Sequence, residues 1–395
     1  MLFTIITAFP DFFRDFLVTS IVGRAIKSGL FQVETVDLHS FGRGAYRQID
    51  DYAFGAGGMV LMAPPLSEAL DAAISANTME SVKPFVVYPT PQGVPLTQEI
   101  VETLSRQHHV VIVCGHYEGL DERFVEQKVD LEVTIGDCVL TGGEIPAMTI
   151  IDAVSRLIPG VVGKGEAVEK DSFFRGMLDH PHYTRPALWK GKSVPEVLLS
   201  GNAAEIDEWR RKQAVSRTLS RRPDLLSRCS LLGYMGGGFY LALTAEQESE
   251  YGTDGKLLEE WGRLCGVYGV SRLFLVVRDT EERECLRRII SKFDTSVSAK
   301  IKLMPSLNRV FDWIGEKEGR PFSIEVPDEL RDGTYHWLET KRLVLEKDGP
   351  VLFYFSHANE TTEQSFDACL SPLQKDRLPF YGKMTALLDR FLGAK

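Results

Sequence analysis

The chain has 395 residues and a net charge of −10, from 45 basic and 55 acidic side chains. Since domains usually contain about 100–200 residues, this length predicts two or three of them. The composition, with 44% hydrophobic, 25% charged and 10% aromatic residues, is that of a globular chain and excludes a disordered or collagen-like protein. The acidic balance argues against a protein that coats nucleic acid through bulk charge, so any basic partner surface must be local.

The six cysteines lie far apart and include no C-x-x-C pair. This spacing suggests neither a disulfide framework nor a zinc ribbon, and it favours a reducing compartment. The apolar stretch 1–9 lacks a basic leader, and no run approaches the roughly 18–20 apolar residues of a membrane span. We therefore expect a cytoplasmic protein without a targeting segment or a membrane helix.

Short apolar runs alternate with helical patterns over the first 160 residues. Strands are predicted at 2–9, 31–38, 84–88, 110–114 and 131–140, and helices at 11–17, 65–74, 96–106 and 145–157. This alternation is typical of a mostly parallel sheet covered on both faces, so the predicted fold class is α/β. The segment 159–175 is rich in glycine and charge and has little periodicity, which predicts a linker.

Beyond this linker, the stretch 203–222 has a strong helix pattern. At 3.6 residues per turn, Arg210, Arg217 and Arg221 fall on one face. Seven basic residues and one acidic residue between positions 210 and 228 form a local basic surface that the net charge conceals. The alternative for this surface is a solvated helix face.

A glycine-rich boundary at 233–238 separates this helix from another α/β pattern. Strands are predicted there at 239–243, 272–277 and 351–355, and helices at 257–268, 281–293 and 385–392. A further α/β unit is therefore expected at 238–395.

Two glycine-bearing loops follow predicted strands of the first unit: G-H-Y-E-G-L-D-E-R at 115–123 and I-G-D-C-V-L-T-G-G-E-I-P at 135–146. The carboxyl ends of parallel strands form the usual ligand crevice, so the two loops predict one pocket. Gly142 and Gly143 would let backbone N–H groups approach a ligand closely, although glycines also simply make tight turns. No Rossmann or P-loop motif follows a strand, so neither nucleotide site is supported.

The two loops resemble those of bacterial tRNA (guanine-N1)-methyltransferases, members of the SPOUT class. So do D-D-Y-A-F-G-A-G-G-M at 50–59, D-A-V-S-R-L-I-P-G-V at 152–161 and H-Y-T-R-P at 182–186, in an order that covers about residues 1–230. The resemblance implies an α/β sheet with a deep trefoil knot, which general topology would not suggest. It predicts a SPOUT methyltransferase domain at 1–160, a linker at 161–176, a helical tRNA-binding domain at 177–232 and a SPOUT-like domain at 238–395.

The resemblance also implies S-adenosylmethionine as the methyl donor. Its pocket falls on Pro91, Gly115, Tyr117, Glu118, Gly119, Ile135, Gly136, Asp137, Cys138, Val139, Leu140, Gly142 and Gly143. Members of this family use Mg²⁺ as well, which a carboxylate such as Glu118 can engage. The sequence itself defines no coordination set for that ion.

The family's catalytic pair falls on Arg156 and Asp171. Guanine N1 carries a proton at neutral pH, so a base such as Asp171 would assist its attack on the sulfonium methyl, and Arg156 would stabilise charge on O6. Judged without the family, the two are more typical of a surface cation near a helix end and a turn aspartate. The family forms homodimers in which the linker aspartate closes the partner's site, so Asp171 is expected to act in trans.

Recognition of tRNA is assigned to the basic helix with Arg210, Arg217 and Arg221, because arginines supply most phosphate contacts. By resemblance, the loop 50–59, including Asp50 and Gly55, belongs to the pocket for the RNA or for the extruded base.

Histidines occur at two places where the surrounding residues bear on function. His180 and His182 stand in H-P-H, but no third ligand has a recognisable spacing, so no metal site is predicted. At His116 the family usually has arginine, which implies a lost guanidinium contact and greater sensitivity to pH below neutrality.

The C-terminal unit resembles, more weakly, another SPOUT-type RNA methyltransferase domain. After the strand 351–355, where such domains carry a glycine-rich turn, this chain has S-H-A-N at 356–359. The β-carbons restrict close backbone approach, so this unit is expected to lack a working donor site and to serve RNA contact or dimerisation.

The predicted function is methyl transfer to N1 of the guanine immediately 3′ to a tRNA anticodon. The alternatives are a SPOUT methyltransferase of different RNA specificity and a non-catalytic tRNA-binding protein. The presence of both Arg156 and Asp171 favours an enzyme.

Overall fold

The computed structural model describes residues 1–55, 57–76, 83–163, 171–173, 176–244, 255–327, 333–356, 364–371 and 380–393. The chain divides into two compact units, Met1–Lys170 and Asp171–Lys395. Each unit is a mixed α/β structure around a parallel sheet, which confirms the α/β class and the mostly parallel sheet, while the knot and the helical domain stay predictions. Much of the predicted linker at 161–176 lies outside the described residues, and the finer division into 177–232 and 238–395 stays a prediction.

The first unit is built on strands that alternate with helices. Its strands are β1 (Leu2–Thr7), β2 (Gln32–Asp37), β3 (Asp50–Tyr52), β4 (Met59–Leu61), β5 (Phe85–Pro95), β6 (His109–Val113) and β7 (Leu131–Thr134). The main sheet is parallel with the order β2-β1-β6-β5-β7, while β3 and β4 form an antiparallel hairpin.

Helices cover both faces of this sheet. They are α1 (Arg14–Val18), α2 (Ser20–Lys27), α3 (Ala63–Ser75), α4 (Gln98–Ser105), α5 (Glu122–Lys128) and α6 (Glu144–Ser155), with 3₁₀ turns at Pro10–Phe13 and Leu38–Phe41. Every residue of β1 is buried, with Phe3 and Ile5 in one apolar cluster and Ile6 in another. Burial on both faces explains why β1 is mostly apolar rather than alternating between apolar and polar residues, with Thr4 and Thr7 buried as well.

The predicted strand at 131–140 is wrong beyond Thr134, where β7 ends. The chain continues as a loop to α6, and the side chain of Val139 is 86% exposed. Apolar loop residues extended the predicted strand because strands and apolar cavity walls give the same local pattern. Conversely, β5 continues past the predicted end at 88, with an irregular pairing to β7 between Pro89 and Val94.

The second unit contains the basic helix and a second parallel sheet. Its strands are β8 (Leu188–Trp189), β9 (Lys192–Ser193), β10 (Phe239–Thr244), β11 (Arg272–Val276), β12 (Ile301–Met304), β13 (Phe322–Val326), β14 (Val351–Phe355) and β15 (Ala368–Cys369). The helices are α7 (Ala203–Arg221), α8 (Lys256–Val267), α9 (Thr280–Ile290), α10 (Thr295–Ser298), α11 (Leu307–Glu318), α12 (Trp337–Lys347) and α13 (Phe380–Leu392), with 3₁₀ turns at Glu196–Leu199 and Pro223–Ser227. The sheet order is β12-β11-β10-β14-β13-β15, and β8 pairs only with β9.

Hydrogen bonds join α7 and the turn after it to the second sheet's helices. Arg211 of α7 donates to the Tyr234 carbonyl and to the Asp348 carboxylate, each at 2.5 Å. Lys341 of α12 is 1% exposed, and its ammonium donates to the Leu226 carbonyl at 3.0 Å. Burial lowers the pKa of Lys341 because it disfavours the charged ammonium. The hydrogen bond to the Leu226 carbonyl offsets part of the cost of burying that charge.

The predicted lack of a donor site in the C-terminal unit depends on the turn at 356–359. Residues 357–359 of this turn lie outside the described residues. Among the helices that the structure describes, none is long and apolar enough to cross a membrane.

Candidate active site

A cavity of about 260 Å³ opens beyond the ends of β6 and β7, beside the irregular middle of β5 at residues 88–92. It is the crevice that the two glycine-bearing loops predict, because the carboxyl ends of neighbouring parallel strands meet at one edge of the sheet. The predicted donor-pocket residues that line it are Pro91, Gly115, Tyr117, Glu118, Gly119, Ile135, Cys138, Val139, Leu140, Gly142 and Gly143. Gly136 and Asp137 lie in the same loop but not on the cavity wall.

The backbone of the first loop, after β6, packs closely against the ring of a tyrosine. A β-carbon at Gly115 would come within 2.8 Å of Cε2 of Tyr88. Gly119 has φ +126, a conformation that favours glycine, and Tyr117 has φ +57. Tyr88 lines the cavity, and burial raises the pKa of its phenol. Sequence analysis missed this residue because it stands inside an apolar strand.

The second loop returns to the first at Gly143, the N-cap of α6. The Gly143 amide donates to the Gly115 carbonyl at 2.9 Å. A β-carbon at Gly143 would lie 2.7 Å from Cα of Cys114 and 2.8 Å from the Gly115 nitrogen. Glycine is therefore required here by close approach of two backbones, beyond the needs of a turn.

A buried carboxylate network supports the same edge. Glu144 is 4% exposed, accepts from the Thr7 hydroxyl at 2.7 Å, and lies 2.9 Å from Nε2 of His116. A β-carbon at Gly142 would meet the His116 ring at 2.4 Å. The His116 ring therefore contacts the buried Glu144 carboxylate on one side and packs against the loop at Gly142 on another. Sequence analysis noted His116 but missed Glu144 and Thr7, whose partners are distant in sequence.

The candidate catalytic pair occupies two different parts of the chain. Arg156 is the exposed C-cap residue of α6 in the first unit, and its amide donates to the Asp152 carbonyl at 3.3 Å. Asp171 is exposed and begins the second unit. Ser172, its neighbour, accepts a hydrogen bond at 2.9 Å from the amide of Asp179.

The candidate RNA loop adjoins the donor cavity through backbone hydrogen bonds. Asp50 begins β3, and Gly55 lies in the turn toward β4 with φ +86. The Glu118 amide donates to the Met59 carbonyl at 3.1 Å. Two large aromatic side chains that sequence analysis did not single out are solvent-exposed beside this turn: Tyr52 at 78% and Phe54 at 101%.

The arginines of α7 fall into two groups. Arg211 is held by Glu208 and Asp348, and its hydrogen bond is the largest cause that lowers the pKa of Glu208 to about 2. Arg210 pairs with Asp207 at 3.2 Å on the helix surface. Within the described residues, Arg217 and Arg221 form no ion pair.

A glycine-walled cavity at the carboxyl ends of parallel strands is the usual place of a small-ligand site in an α/β protein. The profile of one family, described as tRNA (Guanine-1)-methyltransferase TrmD, matches residues 1–228. The chain belongs to this family, as the sequence resemblance predicts.

Several curated relatives cover the same region, and each is named tRNA (guanine-N(1)-)-methyltransferase. The protein from Ruminiclostridium cellulolyticum is 48% identical over 229 residues, which are 58% of this chain and 97% of the relative. The protein from Moorella thermoacetica is 49% identical over 228 residues, or 58% and 90% of the two chains. The protein from Vibrio vulnificus is 46% identical over 245 residues, or 62% and 92%.

Proposed function

We propose that this protein transfers a methyl group from S-adenosylmethionine to N1 of the guanine immediately 3′ to a tRNA anticodon. The main support is the cavity whose two glycine-bearing loops carry the family's motifs. Gly115 lets the first loop pack against the ring of Tyr88, and Gly143 lets the second loop pack against the backbone of the first, which shapes the cavity between the loops. S-adenosylmethionine supplies the electrophilic methyl group when it is bound there.

In this proposal Asp171 accepts the guanine N1 proton as N1 attacks the methyl carbon. The guanidinium of Arg156 stabilises the negative charge that develops on O6. The remaining task is alignment of nitrogen, methyl and sulfur, which the loops at 115–119 and 135–143 perform by holding the donor in one orientation.

The family implies further features that we include in the proposal. These are a trefoil knot in the first unit, a helical tRNA-binding domain around α7, and a homodimer in which Asp171 serves the partner's site. Glu118 is the one carboxylate on the cavity wall and would suit Mg²⁺, which binds through one or two carboxylates and keeps several waters. A cytoplasmic location fits the six free thiols.

The deciding assay is methyl transfer from labelled S-adenosylmethionine to tRNA transcripts. We expect incorporation with guanine 3′ to the anticodon and none with adenine there, because adenine N1 carries no proton and adenine has no O6. Incorporation into rRNA but not tRNA would favour a different SPOUT specificity. Absence of transfer with retained tRNA binding would favour a non-catalytic binding protein.

The assignment of the cavity to the donor predicts selective protection of one thiol. Cys138, on the cavity wall, and Cys285 are both exposed, whereas burial raises the pKa of Cys265 to about 12 and leaves it unreactive. Saturating S-adenosylhomocysteine should slow alkylation of Cys138 severalfold, measured by peptide mass mapping. Cys285, in the other unit, is the internal control and should react at an unchanged rate; equal rates for both thiols with and without ligand would contradict the assignment.

Arginines of this region that lack an ion pair in the described residues and arginines that have one should affect tRNA binding differently when they are replaced. Arg217→Ala and Arg221→Ala should each raise the KM for tRNA, keep kcat, and reduce the slope of log K against log salt by about 0.7–0.9 per lost phosphate contact. Arg222→Ala is the matched control, because that side chain already pairs with Asp224 at 2.7 Å. Unaltered salt dependence in both test variants would show that α7 presents only a solvated face.

A further inference from the structure

Three neighbouring side chains in the second unit converge at one point. Asp179, His180 and His182 bring a carboxylate oxygen and two ring nitrogens within 4.8 Å of one another. Nε2 of His182 lies 2.8 Å from Oδ2 of Asp179, and Nε2 of His180 lies 3.6 Å from Oδ1. Sequence analysis predicted no metal site at the H-P-H pair for want of a third ligand; the fold supplies Asp179 as that ligand.

The tautomer of His180 is suited to metal binding. Nδ1 of this ring lies 3.2 Å from the Pro181 carbonyl oxygen, which can only accept, so the proton resides on Nδ1. The lone pair is then on Nε2, the atom that faces Asp179. A backbone carbonyl that fixes the outer ring nitrogen is the usual support of a metal-binding histidine. The ring of Trp209, 6.4 Å away between centroids, further restricts its orientation.

We propose that Asp179, His180 and His182 form a site for a first-row divalent metal such as Zn²⁺, with solvent as the fourth ligand. Bonds of about 2.0–2.2 Å in a tetrahedron separate ligand atoms by about 3.4 Å. The one donor atom that each of the three side chains offers lies within 4.8 Å of the other two, so the side chains draw together when the metal binds. The side chain of His182 is 72% exposed, which leaves solvent access on its side. Imidazole nitrogens select Zn²⁺ over Mg²⁺, which prefers oxygen, so this site is distinct from any magnesium site of the reaction.

The bound metal would fix the segment that runs from Asp171 to α7 in the second unit. The Asp179 amide donates to the Ser172 hydroxyl at 2.9 Å, and the Leu178 amide donates to the Thr218 hydroxyl at 3.0 Å. Ligation of Asp179 therefore stabilises the residues next to Asp171 against the middle of α7. Its role is structural, and the metal site itself does not depend on the proposed methyl transfer.

The test uses the full chain, stripped of metal by chelation and dialysis. Titration with Zn²⁺ in competition with a chromophoric chelator should give one tight equivalent per chain, and Co²⁺ should give the visible absorption of a tetrahedral complex. His180→Ala should weaken binding by more than about 100-fold, since even outer partners of a metal site are worth about 10–100-fold. Asp179→Asn, which keeps the shape of the side chain, should weaken it as well and guards against a folding defect in the first variant.

The matched control is His39→Ala. His39 forms a similar pair with Asp37 at 3.3 Å, and no third potential metal ligand lies beside that pair among the described residues. This variant should retain the tight equivalent. Absence of a tight equivalent in the unaltered chain, or equal binding by His180→Ala and Asp179→Asn, would overturn the proposal and leave the cluster as a set of hydrogen bonds.

Discussion

Replacing Asp171 with alanine is expected to lower kcat for methyl transfer by about 10²–10⁴-fold, the usual contribution of a positioned general base. Donor binding should change little, because the described residues that line the cavity all belong to the first unit. The residual activity should rise steeply with pH, since guanine N1 then loses its proton to solvent without the carboxylate. Single-turnover transfer at several pH values, together with donor affinity, measures all three quantities.

Asp71→Asn is the control for this variant, because Asp71 is a solvent-exposed carboxylate on α3, outside the cavity wall. It should keep the activity and pH profile of the unaltered chain. Normal turnover by Asp171→Ala would refute the assigned base, and a loss of donor affinity as large as the loss of kcat would assign Asp171 to binding instead.

Mixing two inactive variants tests whether Asp171 acts on the partner's site. In a homodimer with shared sites, one chain with Asp171→Ala and one with Arg156→Ala together form one intact site and one doubly defective site. Random pairing should then restore about one quarter of full activity. If both residues acted within one chain, every site would keep one defect and coexpression of the two differently tagged variants would restore nothing.

Most strands of the first unit's main sheet, and β10, β11 and β14 of the second sheet, were predictable because they are strongly apolar locally. β1 and β14 are buried along their whole lengths, so their sequences are mostly apolar rather than alternating. The region from β12 to α12 was not predicted, since its burial depends on tertiary partners. Lys341 is the clearest case: a lysine reads as a surface residue, and only the carbonyls of Leu226 and Cys229 allow its burial.

The cavity was predictable from its glycines but its support was not. The glycines of the two loops predict close approach of a ligand to the backbone, which stays a prediction. The structure shows a different close approach, of Gly143 to the backbone of Cys114 and Gly115 and of Gly115 to the ring of Tyr88. The pairing of His116 with Glu144 spans 28 residues and that of Glu144 with Thr7 spans 137, so no local pattern reveals either. The grouping of Asp179 with His180 and His182 likewise depends on the fold. Asp179 stands next to His180 in the sequence, but the spacing of the three residues matches no metal-binding motif.

Gly143→Ala is expected to weaken S-adenosylmethionine binding at least tenfold, with little change in tRNA affinity. The added β-carbon would lie 2.7 Å from Cα of Cys114 and 2.8 Å from the Gly115 nitrogen, both backbone atoms that cannot rotate away. The clash is relieved only if the two loops separate. That separation breaks the hydrogen bond from the Gly143 amide to the Gly115 carbonyl and widens the cavity between the loops. Overpacking of this kind costs about 1–3 kcal/mol, or roughly ten- to a hundredfold in affinity if the bound state alone restores the close approach.

Calorimetric titration with S-adenosylhomocysteine and filter binding of tRNA separate the two affinities. Gly266→Ala is the control, because a β-carbon there meets nothing within 4 Å and the residue lies on the exposed face of α8. A helix residue of this kind gains stability from the change, so this variant should bind both ligands as the unaltered chain does. Unchanged donor affinity in Gly143→Ala would mean that the loops at 115–119 and 135–143 hold the donor without the tight backbone contact. The requirement for glycine at 143 would then be one of folding alone, detectable as a lowered Tm with intact binding.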